Sequence, residues 1–302
     1  MRYWVLLILA VACMIAGVAV CFSTRSVSGV GQQVAAPYLR SSITPSDARA
    51  LVAREKDVLD LRSLQGINLD VAREIAGFRG IVNLSGLRSV PSAAVHELAK
   101  MPVASSLQLN GLSQLEQEVA AELGGFPGLY LSLNGLRRLT PEVAAKLAEY
   151  GSKATVGSTL HLNGIEELPE PVADRLGSCR ALGLNLNGVV GLDVASAQKL
   201  ARFKGRVLSM SGIKRASDEV ISALSRFSGD MLDLSGLEEL SPGAAASLSR
   251  FGGDALYLSS LADASEEVLS HLARFDGHLE LPSPTHETVE PENGPEKDRH
   301  NP

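Results

Sequence analysis

Three side chains raise the question of chemistry first. Ser132, His161 and Asn185 are the residue types of a nucleophile, a base and an orienting group. They sit in near-identical phrases, LSLNGL, LHLNGI and LNLNGV, which places them at one position of a repeated element rather than at a site made once. No strand-to-helix elbow of the Gly-x-Ser-x-Gly kind surrounds Ser132, and the three would stand on an open surface, so the chain is expected not to be an enzyme. The six histidines, His96, His161, His271, His278, His286 and His300, show neither HExxH spacing nor a CxxC partner, and no metal or cofactor is expected. A formal net charge of −6, with no stripe of lysine and arginine on the strand positions, argues against nucleic acid, because binding phosphate requires cations.

The elements that position these residues come from a phrase close to LxLxGL that returns ten times. Its first apolar residues are Leu59, Val82, Leu107, Leu131, Leu160, Leu184, Leu208, Leu232, Leu256 and Leu279, with steps of 23, 25, 24, 29, 24, 24, 24, 24 and 23 between them. A period in the twenties marks a solenoid of stacked supersecondary units. Within Leu131–Tyr150 the alternation Leu131, Ser132, Leu133 has period two, as in a short strand. Asn134 and Gly135 turn the chain, and Thr140, Pro141 and Glu142 then open a helix with a hydroxyl cap, a proline that needs no amide partner and a carboxylate at the positive end. Val143, Leu147 and Tyr150 fall on one helical face. Phe78, Phe126, Tyr150, Phe203, Phe227, Phe251 and Phe275 close successive helices and are expected to form one buried aromatic column, each ring contributing roughly 2–3 kcal/mol.

The unit resembles a leucine-rich repeat of the short-period bacterial variety found in exported repeat proteins. The resemblance spans about three quarters of the chain in period, LxL strand and strand-then-helix order, and departs from LxxLxLxxNxL in that Leu136 stands where the asparagine would be. It implies a binding scaffold whose members share no catalytic residues. The expected fold is therefore α/β: a single repeat solenoid with parallel strands on one face and helices on the other, preceded by one transmembrane or signal helix.

Between the leucine pairs runs a middle column, Asp60, Asn83, Gln108, Ser132, His161, Asn185, Ser209, Asp233, Tyr257 and Glu280, expected to face solvent at roughly 4.8 Å spacing. Its variety in otherwise regular repeats is what a recognition surface has, and Gln108, Ser132, His161, Asn185, Ser209, Asp233 and Tyr257 are its candidate partner-binding residues. A merely solvated sheet face is the alternative. The partner is expected to be a protein; the alternatives are a cell-envelope spacer without a specific ligand, or a carbohydrate-binding surface, since Tyr257, Asn185, Gln108 and Asp233 suit hydroxyl groups. The adjacent turn column, Ser85, Asn110, Asn134, Asn163, Asn187, Ser211, Ser235 and Ser259, is uniform and is expected to bond neighbouring backbone amides.

Residues 3–22 are an uncharged apolar run of twenty after Met1 and Arg2, long enough at 1.5 Å per residue to span roughly 30 Å of hydrocarbon. Residues 1–22 are read as a membrane anchor with the repeats outside the cytoplasm, or as a cleaved signal that leaves a secreted protein. Residues 23–41 read as a linker, 42–58 as an N-terminal cap helix, 59–281 as the solenoid and 282–302 as a disordered, acidic, proline-rich tail. Cys179 is the only cysteine beyond the anchor and is read as a small core residue. The extra residues in GSKATVGST, before Leu160, are read as a surface insertion, or as a lip beside the sheet.

Overall fold

The computed structural model describes residues 41–153, 157–262 and 264–282. The apolar run 3–22, the linker as far as residue 40 and the tail from residue 283 lie outside the described residues. Among those that are described, no helix is long and apolar enough to cross a membrane.

Ten three-residue strands form one parallel sheet in strict sequence order: β1 Val58–Asp60, β2 Ile81–Asn83, β3 Ser106–Gln108, β4 Tyr130–Ser132, β5 Thr159–His161, β6 Gly183–Asn185, β7 Val207–Ser209, β8 Met231–Asp233, β9 Ala255–Tyr257 and β10 His278–Glu280. The helices are α1 Pro45–Arg54, α2 Leu69–Ile75, α3 Ser92–Leu98, α4 Gln117–Gly124, α5 Pro141–Leu147, α6 Glu170–Leu176, α7 Val194–Leu200, α8 Asp218–Leu224, α9 Pro242–Leu248 and α10 Glu266–Leu272. The element pairs in substantial contact are consecutive helices and consecutive strands, so each unit meets chiefly its neighbours, as in a one-dimensional array.

The register follows the repeat. Leu107 aligns with Leu131, Leu160 with Leu184 and Leu208 with Leu232. Each unit sends three apolar residues inward from its strand and turn; Leu131, Leu133 and Leu136 are all wholly buried. A two-turn helix closes over them, and Val143, Ala144 and Leu147 complete that layer. Seven-residue helices do not persist alone in water, so their caps and packing sustain them. Thr140 caps α5 by accepting from the Val143 amide at 3.3 Å, and Asn68, Asp193, Ser217, Ser241 and Ser265 do the same for their helices. At the start of the array, Thr44 and Asp47 form a capping box around the first turn of α1.

Gly135 is placed by contact rather than by conformation. A Cβ there would lie 2.2 Å from the Asn110 carbonyl oxygen of the preceding unit. The only described glycine with positive φ is Gly151, at +96°, where the insertion begins.

The aromatic column forms as expected, and all seven rings are buried. Phe203, Phe227, Phe251 and Phe275 stack with centroid spacings of 5.9, 6.2 and 6.0 Å and interplanar angles of 7, 10 and 15°. Phe126 and Tyr150 make a second stack at 6.3 Å. Two members were not legible as aromatics: Met101 and Cys179 are buried where the period places the missing rings, between Phe78 and Phe126 and between Tyr150 and Phe203. Burial pushes the Cys179 thiol up to about 11, which keeps it protonated and inert. Tyr150 keeps its hydroxyl satisfied by donating to the Gly128 carbonyl at 2.9 Å.

Candidate functional site: the strand face

Side chains leave the outer face of the sheet in three columns. The first column belongs to the residue that opens each strand, the middle column to the residue that ends it, and the turn column lies two residues further on. The register sets the proposed partner-binding residues side by side: Gln108 aligns with Ser132, Ser132 with His161, His161 with Asn185, Asn185 with Ser209, Ser209 with Asp233 and Asp233 with Tyr257.

The expectation that this column faces solvent needs correction. Gln108 and His161 are half-buried, but Ser132, Ser209 and Tyr257 are buried, and Asn185 and Asp233 retain only 1% exposure each. Two flanking columns and strand neighbours on either side close around a short side chain. Much of the middle column is also committed to hydrogen bonds.

These commitments follow a rule set by the turn column. Where the preceding unit carries asparagine there, its side-chain oxygen accepts the next unit's turn amide: Asn110 from Asn134, Asn134 from Asn163, and Asn163 from Asn187, at 2.9, 2.9 and 3.0 Å. Asn187 extends the ladder to the Ser211 amide at 3.2 Å. The expectation of side-chain bonds to neighbouring amides is met in this stretch. Where the preceding unit has Ser211 instead, the Ser235 amide is taken by Asp233 of its own middle column at 2.9 Å. Asn83 serves Ser85 in the same way at 3.1 Å, following Arg62 in the unit before.

Asn185 is the surplus member. Its turn amide is already held by Asn163, so its side chain is released from capping. Its Nδ2 lies 3.1 Å from His161 Nδ1, while its Oδ1 is buried without a hydrogen-bond partner. Burial lowers the His161 pKa to about 4, so the ring is neutral at pH 7; with Asn185 Nδ2 donating, Nδ1 accepts and Nε2 carries the hydrogen. Tyr130 stands beside it, with ring centroids 6.0 Å apart. Although Ser132 and His161 are register partners, the Ser132 hydroxyl donates to Asn110 Oδ1 at 2.7 Å and accepts from Asn134 Nδ2 at 3.0 Å.

Met231, Ala255 and Tyr257 form a buried apolar cluster with Val207 against it, separate from the main core. The first column supplies three of its four members, and strand alternation alone could have indicated them, since Val207, Met231 and Ala255 share parity with the middle column. Burial, then the nearby Glu280 and Asp233 carboxylates, push the Tyr257 phenol up. The described ends of the insertion lie in different layers: the Lys153 ammonium reaches Gly125 after α4, among the helices, whereas Ser158 accepts the Gly183 amide of β6 and Thr159 opens β5; residues 154–156 lie outside the described residues.

No family model matches the chain, and no curated protein matches it in sequence. Among solved structures it is similar to a chain of the Toll–Spatzle complex of Drosophila, with a TM-score of 0.46 and 11% identity over 70% of this chain and 29% of that one. The chain spans under a third of that chain's length. Its own architecture is a repeating parallel sheet alternating with helices.

Proposed function

We propose that the chain is an exported scaffold, non-catalytic and held at a membrane by residues 3–22, that binds another protein through its strand face. The observation that carries the binding role is the apolar cluster of Val207, Met231, Ala255 and Tyr257, which lies outside the core on a face that no described helix covers. Although Met231, Ala255 and Tyr257 keep only 7–8% exposure, an apolar cluster on the sheet's outer face with polar residues around it has the composition of an interface centre with its rim. The half-buried Gln108, Tyr130 and His161 extend the surface toward the amino end. Export and tethering rest on the uncharged apolar run, and the secreted form left by signal cleavage is its alternative.

The test begins with affinity capture from an envelope extract using the full chain, followed by binding of the purified captured protein to two variants. Replacing Val207, Met231 and Tyr257 together by serine should weaken binding at least tenfold, about 1.4 kcal/mol. Replacing Lys146, Glu149 and Lys199 on the helix face by alanine should leave it unchanged. The reverse pattern would place recognition on the helices.

A further inference from the structure

The strand face between β6 and β9 holds more acceptors than donors. Asp233 is a carboxylate with 1% exposure, and no cationic nitrogen among the described residues pairs with it. One of its oxygens accepts from the Ser235 amide and hydroxyl. The other lies 2.6 Å from the Ser209 hydroxyl, which is also 2.6 Å from Asn187 Oδ1. A serine has one proton: given to Asp233, it leaves Asn187 Oδ1 with the Ser211 amide alone, and given to Asn187, it leaves Asp233 Oδ2 without a donor. One strand away, the buried Asn185 Oδ1 has no donor at all. Leaving such atoms unpaired is costly, and a buried carboxylate without a counter-charge more so.

We infer that this patch is a receptor for a lysine side chain of the protein partner, with Asp233, Ser209 and Asn185 taking the ammonium and Val207, Met231 and Tyr257 holding its stem. The count fits: an ammonium brings three donors and no acceptor, and the acceptor positions it would take are Asp233 Oδ2, a Ser209 Oγ lone pair and the unpaired Asn185 Oδ1. With the ammonium in place, the Ser209 proton stays with Asn187 while its oxygen accepts. The aliphatic stem meets the apolar cluster, and the Tyr257 ring adds a cation–π wall. Unbranched Met231, with three rotatable bonds, is the side chain that can swing to admit the ligand. The inference rests on the protein-binding reading above and names the chemistry of its anchor.

Ligand-observed saturation-transfer NMR on the full chain in detergent tests it, with N-acetyl-lysine methylamide as the probe, N-acetyl-norleucine methylamide as the uncharged stem and n-butylammonium as a free amine. The lysine probe should bind wild type, Asp233→Asn should weaken it at least tenfold, Asn185→Ala should weaken it severalfold, and the norleucine probe should not bind. Equal binding to wild type and Asp233→Asn, or no lysine binding up to the solubility of the probe, overturns the inference. Tighter binding of n-butylammonium than of the lysine probe also overturns it, in favour of a free-cation site. Should Asp233→Asn fold poorly, Asn185→Ala and Tyr257→Leu decide on the same scale. Failure here with capture through the strand face intact removes the lysine anchor alone, whereas loss of capture through that face removes the protein-binding reading.

Discussion

Units whose turn residue is asparagine and units whose turn residue is serine solve the same problem in different ways. From Asn110 to Asn187, each side chain reaches forward to the next unit's amide, so the bond that closes one turn also ties two units together. From Ser211 onward the short hydroxyl does not make that bond, and at Ser235 the closing acceptor is the unit's own Asp233. At Asn134, Asn163, Asn187 and Ser211 the acceptor comes from the preceding unit, and at Ser85 and Ser235 from the unit's own middle column. Asn185 is therefore released for other work by the asparagine that precedes it, whereas Asn83 and Asp233, which follow no asparagine, are held by their own turn amides. In the serine stretch the middle column is partly spent, and apolar residues gather around it.

The aromatic stack runs under both stretches and should be indifferent to this difference. Phe227→Ala in the serine stretch and Phe126→Ala in the asparagine stretch should each destabilise by about 3–5 kcal/mol, read by urea denaturation. Clearly unequal losses would show that the ladder and the stack are coupled. Gly135→Ala forces a Cβ against the Asn110 carbonyl and should cost about 1–3 kcal/mol, the range for overpacking.

His161 offers a smaller effect in the asparagine stretch. Its folded pKa of about 4 lies below the ordinary histidine value of about 6.5, so the unfolded chain binds the extra proton more readily between those limits. Stability contributed by the neutral ring is complete above pH 6.5 and is lost as pH falls toward 4. Wild type should lose ~1–2 kcal/mol more over that range than His161→Gln, the ring being half-buried rather than sealed. Parallel pH profiles for the two proteins would contradict the burial of His161. The smallest effect is expected at Asn185→Ala, where loss of the bond from Nδ2 to His161 Nδ1 is offset by removal of the buried, unpaired Oδ1, for a net change of less than about 1 kcal/mol in either direction.

The period, the strand, the helix starts and the aromatic column were legible because each rests on local spacing. Thr140 with Pro141 marks a cap in any context, and the LxL alternation orients its leucines whichever strands lie beside them. The exposure of the middle column was not legible, because it depends on three columns at once. The sequence of β8 alone shows Asp233 as an outward polar residue; its burial comes from Ser209 and Tyr257 on the neighbouring strands and from Met231 two residues earlier. The roles of Met101 and Cys179 could have been found by counting one period from Phe126 and Phe203, since residue type alone conceals them.

A middle-column asparagine or aspartate is assigned to capping, or released from it, by the turn residue of the preceding unit. A double-mutant cycle in urea at Asn187 and Ser209 tests that claim most directly. Asn187→Ser strips the Ser211 amide of its acceptor and should cost ~1–2 kcal/mol. Adding Ser209→Asn gives that unit the arrangement by which Asn83 holds the Ser85 amide, and should restore at least half of the loss. A double variant as unstable as the sum of its two single variants would contradict the claim.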